Sequence, residues 1–415
     1  MHEIISLSNG VRIVSEKMPY VRSAAIGIFV DVGSRDEKPS ENGSAHYIEH
    51  MLFKRTSKHS AAELAYAMDA IGGQVNAYTT RENTCFYARV LDTHLNTAID
   101  LLSEMFFDCA FDEAETDSER GVILEEIGMY EDTPDDACYE KLMSSCFKGA
   151  LGRPVLGKPS TLLKMTGVGL KEYKERLYTS KNIIISLCGN FDDSHIELIR
   201  ERFSGLNESA QKKNRRAEYG SQICVRRKKT EQNQFCLAFP SSPVSSDDRF
   251  ALNLLSMILG GGVSSRLFQN IREKHGLCYS IYSFQAGFED LGLIAVATAV
   301  SRETEIKALG LIADELRRIS GDGVTEEELH RAVEQAKSTL VMGLESTNSR
   351  MLKLGNSMLV LGSCMTTDEL MARYDAVTRE EILGLARERF DFSRLSVSAL
   401  GKTESAESYM KALGL

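Results

Sequence analysis

The constraint that most narrows the fold is that the chain reads as two similar halves. "AIDLLSEM" (98–105) resembles "ALGLIADEL" (308–316), and each is followed by an acidic turn and a long helical segment. Near the end of each half, "NIIISLCGNF" (182–191) resembles "RLSVSALGK" (394–402), an apolar strand running into glycine. Between the halves, "NESAQKKNRRAEYG" (207–220) is polar and basic and lacks apolar periodicity, which is the mark of a linker. A chain of 415 residues is also too long for one ordinary core. The pattern predicts an α+β protein of two similar domains, 1–206 and 221–415, joined by a linker at 207–220. Each domain is expected to be a mixed β-sheet flanked by α-helices.

Composition removes several function classes. A formal charge of −10 argues against nucleic acid as a partner. The basic clusters "KKNRR" (212–216) and "RRKK" (226–229) are read as a solvated linker face, with an anionic partner or substrate as the alternative. No run of apolar residues is long enough for a membrane-spanning helix. The opening "MHEIISLSNGVRIVSEKM" reads as strand, turn at Asn9–Gly10 and strand, not as an export signal, so the cytoplasm is the expected compartment. The nine cysteines are scattered without a C-x-x-C pair, which suits reduced, mostly buried thiols. The glycines at 260–262 are followed by no G-K-[ST], so no nucleotide cofactor is expected.

The chemistry concentrates in "NGSAHYIEHMLFKRT" (42–56). Ala45, Ile48, Met51 and Leu52 have helical spacing. On a helix, His46 and His50 stand at i and i+4, so both imidazoles project from one face and can chelate one ion. Glu49 lies beside that face, within reach of a water on the ion. This is H-E-x-x-H read backwards, the inverzincin arrangement. Two imidazoles with a carboxylate favour zinc and leave one tetrahedral position for water. The third ligand must come from elsewhere. The acidic segment "DEAETDSERGVILEEIGMYED" (112–132) offers Glu119, Glu125 and Glu126. Glu119 and Glu126 are two turns apart and share a face, so one can bind metal while the other supports the site. The alternative is that all three are solvated surface carboxylates.

"GSAHYIEHMLFKRT", then "GGQVNAYTTRENTCFYA" (72–88), then "ERGVILEEI" (119–127) resemble the pitrilysin/insulinase-type zinc peptidases. The most similar branch is that of mitochondrial processing peptidase and its small bacterial relatives. The resemblance implies that Glu126 completes the metal site, with Glu125 as the fallback, and that Glu119 is an auxiliary acidic residue. Arg55 stands where relatives usually have glycine, which affects a turn and not a ligand. The stretch 74–90 alternates as one strand. By resemblance it is the edge to which extended peptide substrate adds, with Asn76 and Ala77 near the scissile bond. In the second half, Arg272 and Tyr279 resemble an arginine and tyrosine that the family presents to substrate. Arg272 would hold a carbonyl or carboxylate, and Tyr279 would donate to the oxyanion.

The expectation is a zinc endopeptidase for short or unfolded peptides, with one zinc per chain held by His46, His50 and Glu126, and Glu49 as general base. The family encloses its peptide between two two-domain halves. This chain has the length of one half yet carries both motif sets, so a homodimer with shared sites is expected, with a heteromer as the alternative. The competing reading is a non-catalytic scaffold or partner subunit of the same family. Such members typically lose metal ligands, whereas every expected ligand type is present here. A metal-binding hydrolase of non-peptide substrates is the third.

Overall fold

A computed structural model describes residues 2–208 and 216–415. Half of the expected linker, with Lys212, Lys213, Asn214 and Arg215 of the first basic cluster, lies outside the described residues. The larger strands are β1 (His2–Ser6), β2 (Arg12–Lys17), β3 (Ser23–Val30), β4 (Gln74–Thr79), β5 (Thr84–Leu91) and β6 (Ile183–Gly189) in the first half. The second half adds β7 (Ile223–Arg227), β8 (Asn233–Ser241), β9 (Cys278–Gly287), β10 (Gly292–Val300) and β11 (Ser396–Gly401).

These strands form two sheets, in the orders β1-β2-β6-β3-β5-β4 and β9-β10-β8-β11-β7. Apart from the added β1, the two orders are the same in both space and sequence. In each sheet the first and last strands of the repeat lie parallel, β2 with β6 and β7 with β11, and the other pairs are antiparallel. The halves are therefore two copies of one α+β plan with mixed sheets.

The chain divides into two compact units, each assembled from three stretches of sequence. One takes in Met1–Ile127, Arg153–Arg215 and Val341–Thr366; the other takes in Gly128–Gly152, Arg216–Leu340 and Thr367–Leu415. A single cut at 207–220 describes neither. The reason lies in the strands. Every residue of β3 after Ser23 is buried, a pattern that requires cover on both faces of a sheet. Ala24, Ile26, Ile28 and Val30 enter a core with the helix Leu95–Asp108. Ala25 and Phe29 point the other way, onto Met351, Leu354 and Met358 of the helix Thr347–Leu361. In the other unit, Phe235, Leu237 and Phe239 of β8 face one core. Cys236 and Ala238 face Ala137, Cys138, Leu142 and Met143 of the helix Pro134–Cys146. Each sheet thus covers its second face with a helix taken from the other half of the sequence.

The stretch 74–90, expected as one strand, is a hairpin. Thr80 N–H donates to the Asn83 carbonyl at 2.7 Å, and its hydroxyl accepts from the amides of Glu82 and Asn83. These local bonds offer the backbone a turn in place of a ladder. β4 becomes the end strand of its sheet, carrying Asn76 and Ala77. Of the second basic cluster, Arg226 pairs with Glu131 and Lys228 with Asp132, at 2.5 and 3.3 Å. Among the described residues, no helix is long and apolar enough to cross a membrane.

Two glycines set the approach of the Thr347–Leu361 helix to its sheet. A Cβ on Gly355 would lie 2.1 Å from the Phe29 ring, and one on Gly27 2.5 Å from Met351 Sδ. Gly355→Val should therefore cost about 1–3 kcal/mol of stability, read as a lower urea midpoint. Gly384→Ala, where a Cβ meets nothing within 4 Å on an exposed helix position, should raise it by about 0.5–1 kcal/mol. Equal effects would contradict the packing described.

Candidate metal centre

The helix that carries both histidines, Ser44–Met51, is held by its apolar residues. Tyr47, Ile48 and Met51 are buried in the core of their unit. The Tyr47 hydroxyl donates to the carbonyl of Thr116, which ties this helix to the acidic helix Glu113–Asp132. Ile123 of the acidic helix enters the same core. With both helices fixed, the helical period decides which carboxylates meet the histidines. Glu119 and Glu126 do, and Glu125 is exposed to solvent.

His46 Nε2 and His50 Nε2 each lie 3.6 Å from Glu126 Oε2. The three ligand atoms lie within 4.8 Å of one another, the one such group among the described residues. Ligands about 2.0–2.1 Å from a tetrahedral zinc stand roughly 3.4 Å apart, so the spacing suits one ion. Glu126 Oε2 is buried and has no hydrogen-bond partner. A carboxylate oxygen left in that state is costly unless a cation meets it. The donor set and the orphaned oxygen therefore fit a zinc ion.

The protonation of His46 points the same way. Burial, and then the neighbouring His50, push the His46 imidazole down to about 4, which leaves it neutral with a lone pair to give. Burial also acts to lower His50, but the Glu126 and Glu119 carboxylates outweigh it and hold that ring above its ordinary value. Glu119 accepts from His50 Nδ1 at 2.8 Å and pairs with Lys54 Nζ at 2.5 Å. That hydrogen bond directs the other ring nitrogen, Nε2, toward Glu126. Nδ1 of His46 is buried with no hydrogen-bond partner.

Glu49 is not one of the three ligand residues. Burial raises its carboxyl above the ordinary glutamate value, against the Thr79 hydroxyl, which donates to Oε2 at 2.5 Å. Thr79 ends β4, so the edge strand and Glu49 meet directly. Thr79 and Lys54 also belong to the site. Lys54 lies four residues beyond His50 and shares its spacing, whereas Thr79 carries no signal short of the fold. On β4, Asn76 is exposed, and its Oδ1 accepts from the Ala77 N–H at 2.8 Å. Arg55 is exposed and its φ is not positive, so this turn needs no glycine.

Arg272 and Tyr279 belong to the other unit. Arg272 sits in the segment Phe268–Lys274, which is wound as a π-helix, a form frequent at functional sites. Its guanidinium lies 4.5 Å from the centre of the Phe268 ring and 5.0 Å from that of Tyr279. Tyr279 is 80% exposed. The two residues are therefore paired on the surface, with the arginine held between aromatic faces.

The geometry agrees with comparisons to known proteins. A family model described as "Insulinase (Peptidase family M16)" matches residues 12–159, and one described as "Peptidase M16 inactive domain" matches 166–336. His46, Glu49, His50, Glu119 and Glu126 all fall in the first. An "uncharacterized zinc protease" of Bacillus subtilis (strain 168) is 42% identical over 96% of this chain and 98% of its own. One of Streptomyces coelicolor is 38% identical over 97% of this chain and 90% of its own. A solved structure described as the peptidase M16 inactive domain from Pseudomonas fluorescens has a TM-score of 0.90 at 19% identity, covering 97% of this chain and 99% of that one. A protease from Helicobacter pylori has a TM-score of 0.88 at 22% identity, with 97% and 99% covered. These two share the fold. Matched by its family along nearly its whole length, the chain belongs to the insulinase peptidases, family M16.

Proposed function

We propose that the chain is a zinc-dependent endopeptidase that hydrolyses short or unfolded peptides. The observation that carries this is the meeting of two imidazole nitrogens and a buried carboxylate oxygen beside a second carboxyl, Glu49, whose pKa is raised. His46, His50 and Glu126 would hold one zinc per chain. The ion supplies Lewis acidity, which makes water nucleophilic near neutral pH and polarises a peptide carbonyl. Glu49 takes the proton from the attacking water and passes it to the leaving amine, a task suited to a carboxyl with a raised pKa. Thr79 holds Glu49 in place, and Glu119 holds His50. Substrate pairs along the outer edge of β4 beside Asn76 and Ala77. Such pairing needs a chain free to extend, which selects short or unfolded peptides.

The same reading gives Arg272 a substrate carbonyl or carboxylate to bind and Tyr279 the oxyanion to stabilise. A two-fold homodimer would complete each site with Arg272 and Tyr279 of the partner subunit. The nine cysteines are free, which fits a reducing compartment such as the cytoplasm.

Three sets of variants test this. His46→Ala or His50→Ala should lose both zinc and activity; a variant that keeps stoichiometric zinc contradicts the ligand assignment. Glu49→Gln should keep zinc while kcat falls about 10²-fold or more, and loss of zinc would make it a ligand instead. Glu119→Ala should weaken zinc binding about 10–100-fold, measured by competition with a chelator; unchanged affinity would leave it no part in orienting His50.

Sharing of sites has its own test. Inactive Glu49→Gln and inactive Arg272→Ala proteins, mixed under conditions that exchange subunits, should recover about a quarter of the unaltered activity. Half the dimers are then hybrids with one intact site of two. No recovery after verified exchange, or a monomer at working concentration, contradicts it.

A further inference from the structure

The helix Ser44–Met51 starts without a side-chain cap. Its N-cap is Gly43, at φ 104°, with no side chain to accept from the first amides. Space forbids one as well. A Cβ on Gly43 would lie 2.9 Å from Leu162 Cδ2 and 3.0 Å from Gly157 Cα. The missing acceptor comes from Glu37, seven residues before the helix. Its Oε2 accepts from the Gly43 N–H at 2.8 Å and from the Asn42 amide at 2.8 Å; its Oε1 accepts from the Ala45 N–H at 2.9 Å. Asn42 also donates to the Pro154 carbonyl at 3.0 Å, and Arg153 donates to the carbonyl of Glu37 itself. The carboxyl thus joins the start of the helix to a neighbouring loop.

We infer that Glu37 is a positioning residue for the metal centre, capping from outside the helix the one turn on which the placing of His46 against His50 depends. The helix has eight residues, and His46 is the third. A helix this short is marginal by itself, and its ends fray first. His46 and His50 can meet one ion only while that first turn stays wound, and the Ala45 N–H held by Glu37 precedes His46 directly. The cap is costly. Glu37 is wholly buried, and burial pushes its carboxyl up to about 8, opposed by Asn42, Ala45, Gly43 and Arg153. The donors from Asn42, Gly43 and Ala45 and the positive end of the helix offset part of that burial cost without returning the carboxyl to the ordinary glutamate range.

The inference rests on His46, His50 and Glu126 being zinc ligands, so the test separates the two. Zinc affinity is measured by chelator competition, and the thermal midpoint of the metal-free protein is recorded beside it. Glu37→Gln keeps the shape but turns one acceptor oxygen into a donor aimed at an N–H. It should bind zinc about 10-fold more weakly or worse. Asp192→Asn is the control. Asp192 caps the helix Asp193–Phe203, which carries none of the candidate ligands, by accepting from the Ser194 N–H at 3.0 Å. It should leave zinc affinity unchanged. If the unaltered protein binds no zinc, the metal reading fails and takes this inference with it. If it binds zinc and Glu37→Gln binds equally well, only this inference is overturned. If Glu37→Gln is recovered only unfolded, with or without zinc, Glu37 is a determinant of folding and the positioning role is also overturned.

Discussion

A buried carboxylate oxygen with no hydrogen-bond donor is expensive, and the first unit places one, Glu126 Oε2, 3.6 Å from each of two imidazole nitrogens. Glu119 turns His50 so that its second nitrogen faces that oxygen, and Lys54 pairs with Glu119. Tyr47 ties the helix that carries the histidines to the one that carries the carboxylates. Together these contacts converge three donor atoms on one small volume, which is what a tetrahedral cation needs.

That convergence requires helices that do not shift, and the sheets supply the rigidity. Each is covered on both faces, with one cover borrowed from the other half of the sequence. The close approach at Gly27 and Gly355 leaves no room between sheet and helix. The two units share one strand order, yet among the described residues only the first holds a group able to bind a metal. The frame occurs twice, and the candidate metal group lies in one copy.

How much of this can be read from the chain depends on the range of each interaction. His46, Glu49 and His50 stand out because i, i+4 geometry follows from helical spacing alone. The duplicated strand order is legible in outline because apolar strands ending in glycine recur. Choosing between Glu125 and Glu126 needs the phase of one helix against another, which spacing does not contain. The exchanged helices Pro134–Cys146 and Thr347–Leu361 are equally hidden, since an apolar stripe does not name the sheet it will cover. The break at Thr80–Asn83 is hidden because a run of β-formers masks a turn held by a threonine hydroxyl. Glu37 has no local signature either, because a cap normally sits next to its helix and this one reaches over from seven residues before it.

Anomalous diffraction recorded across the zinc absorption edge tests the central claim most directly. The account predicts one zinc peak per chain, bound by His46 Nε2, His50 Nε2 and Glu126 Oε2 at about 2.0–2.2 Å. No zinc peak at those atoms, or a peak ligated by Glu125 or Glu49 in place of Glu126, would contradict it.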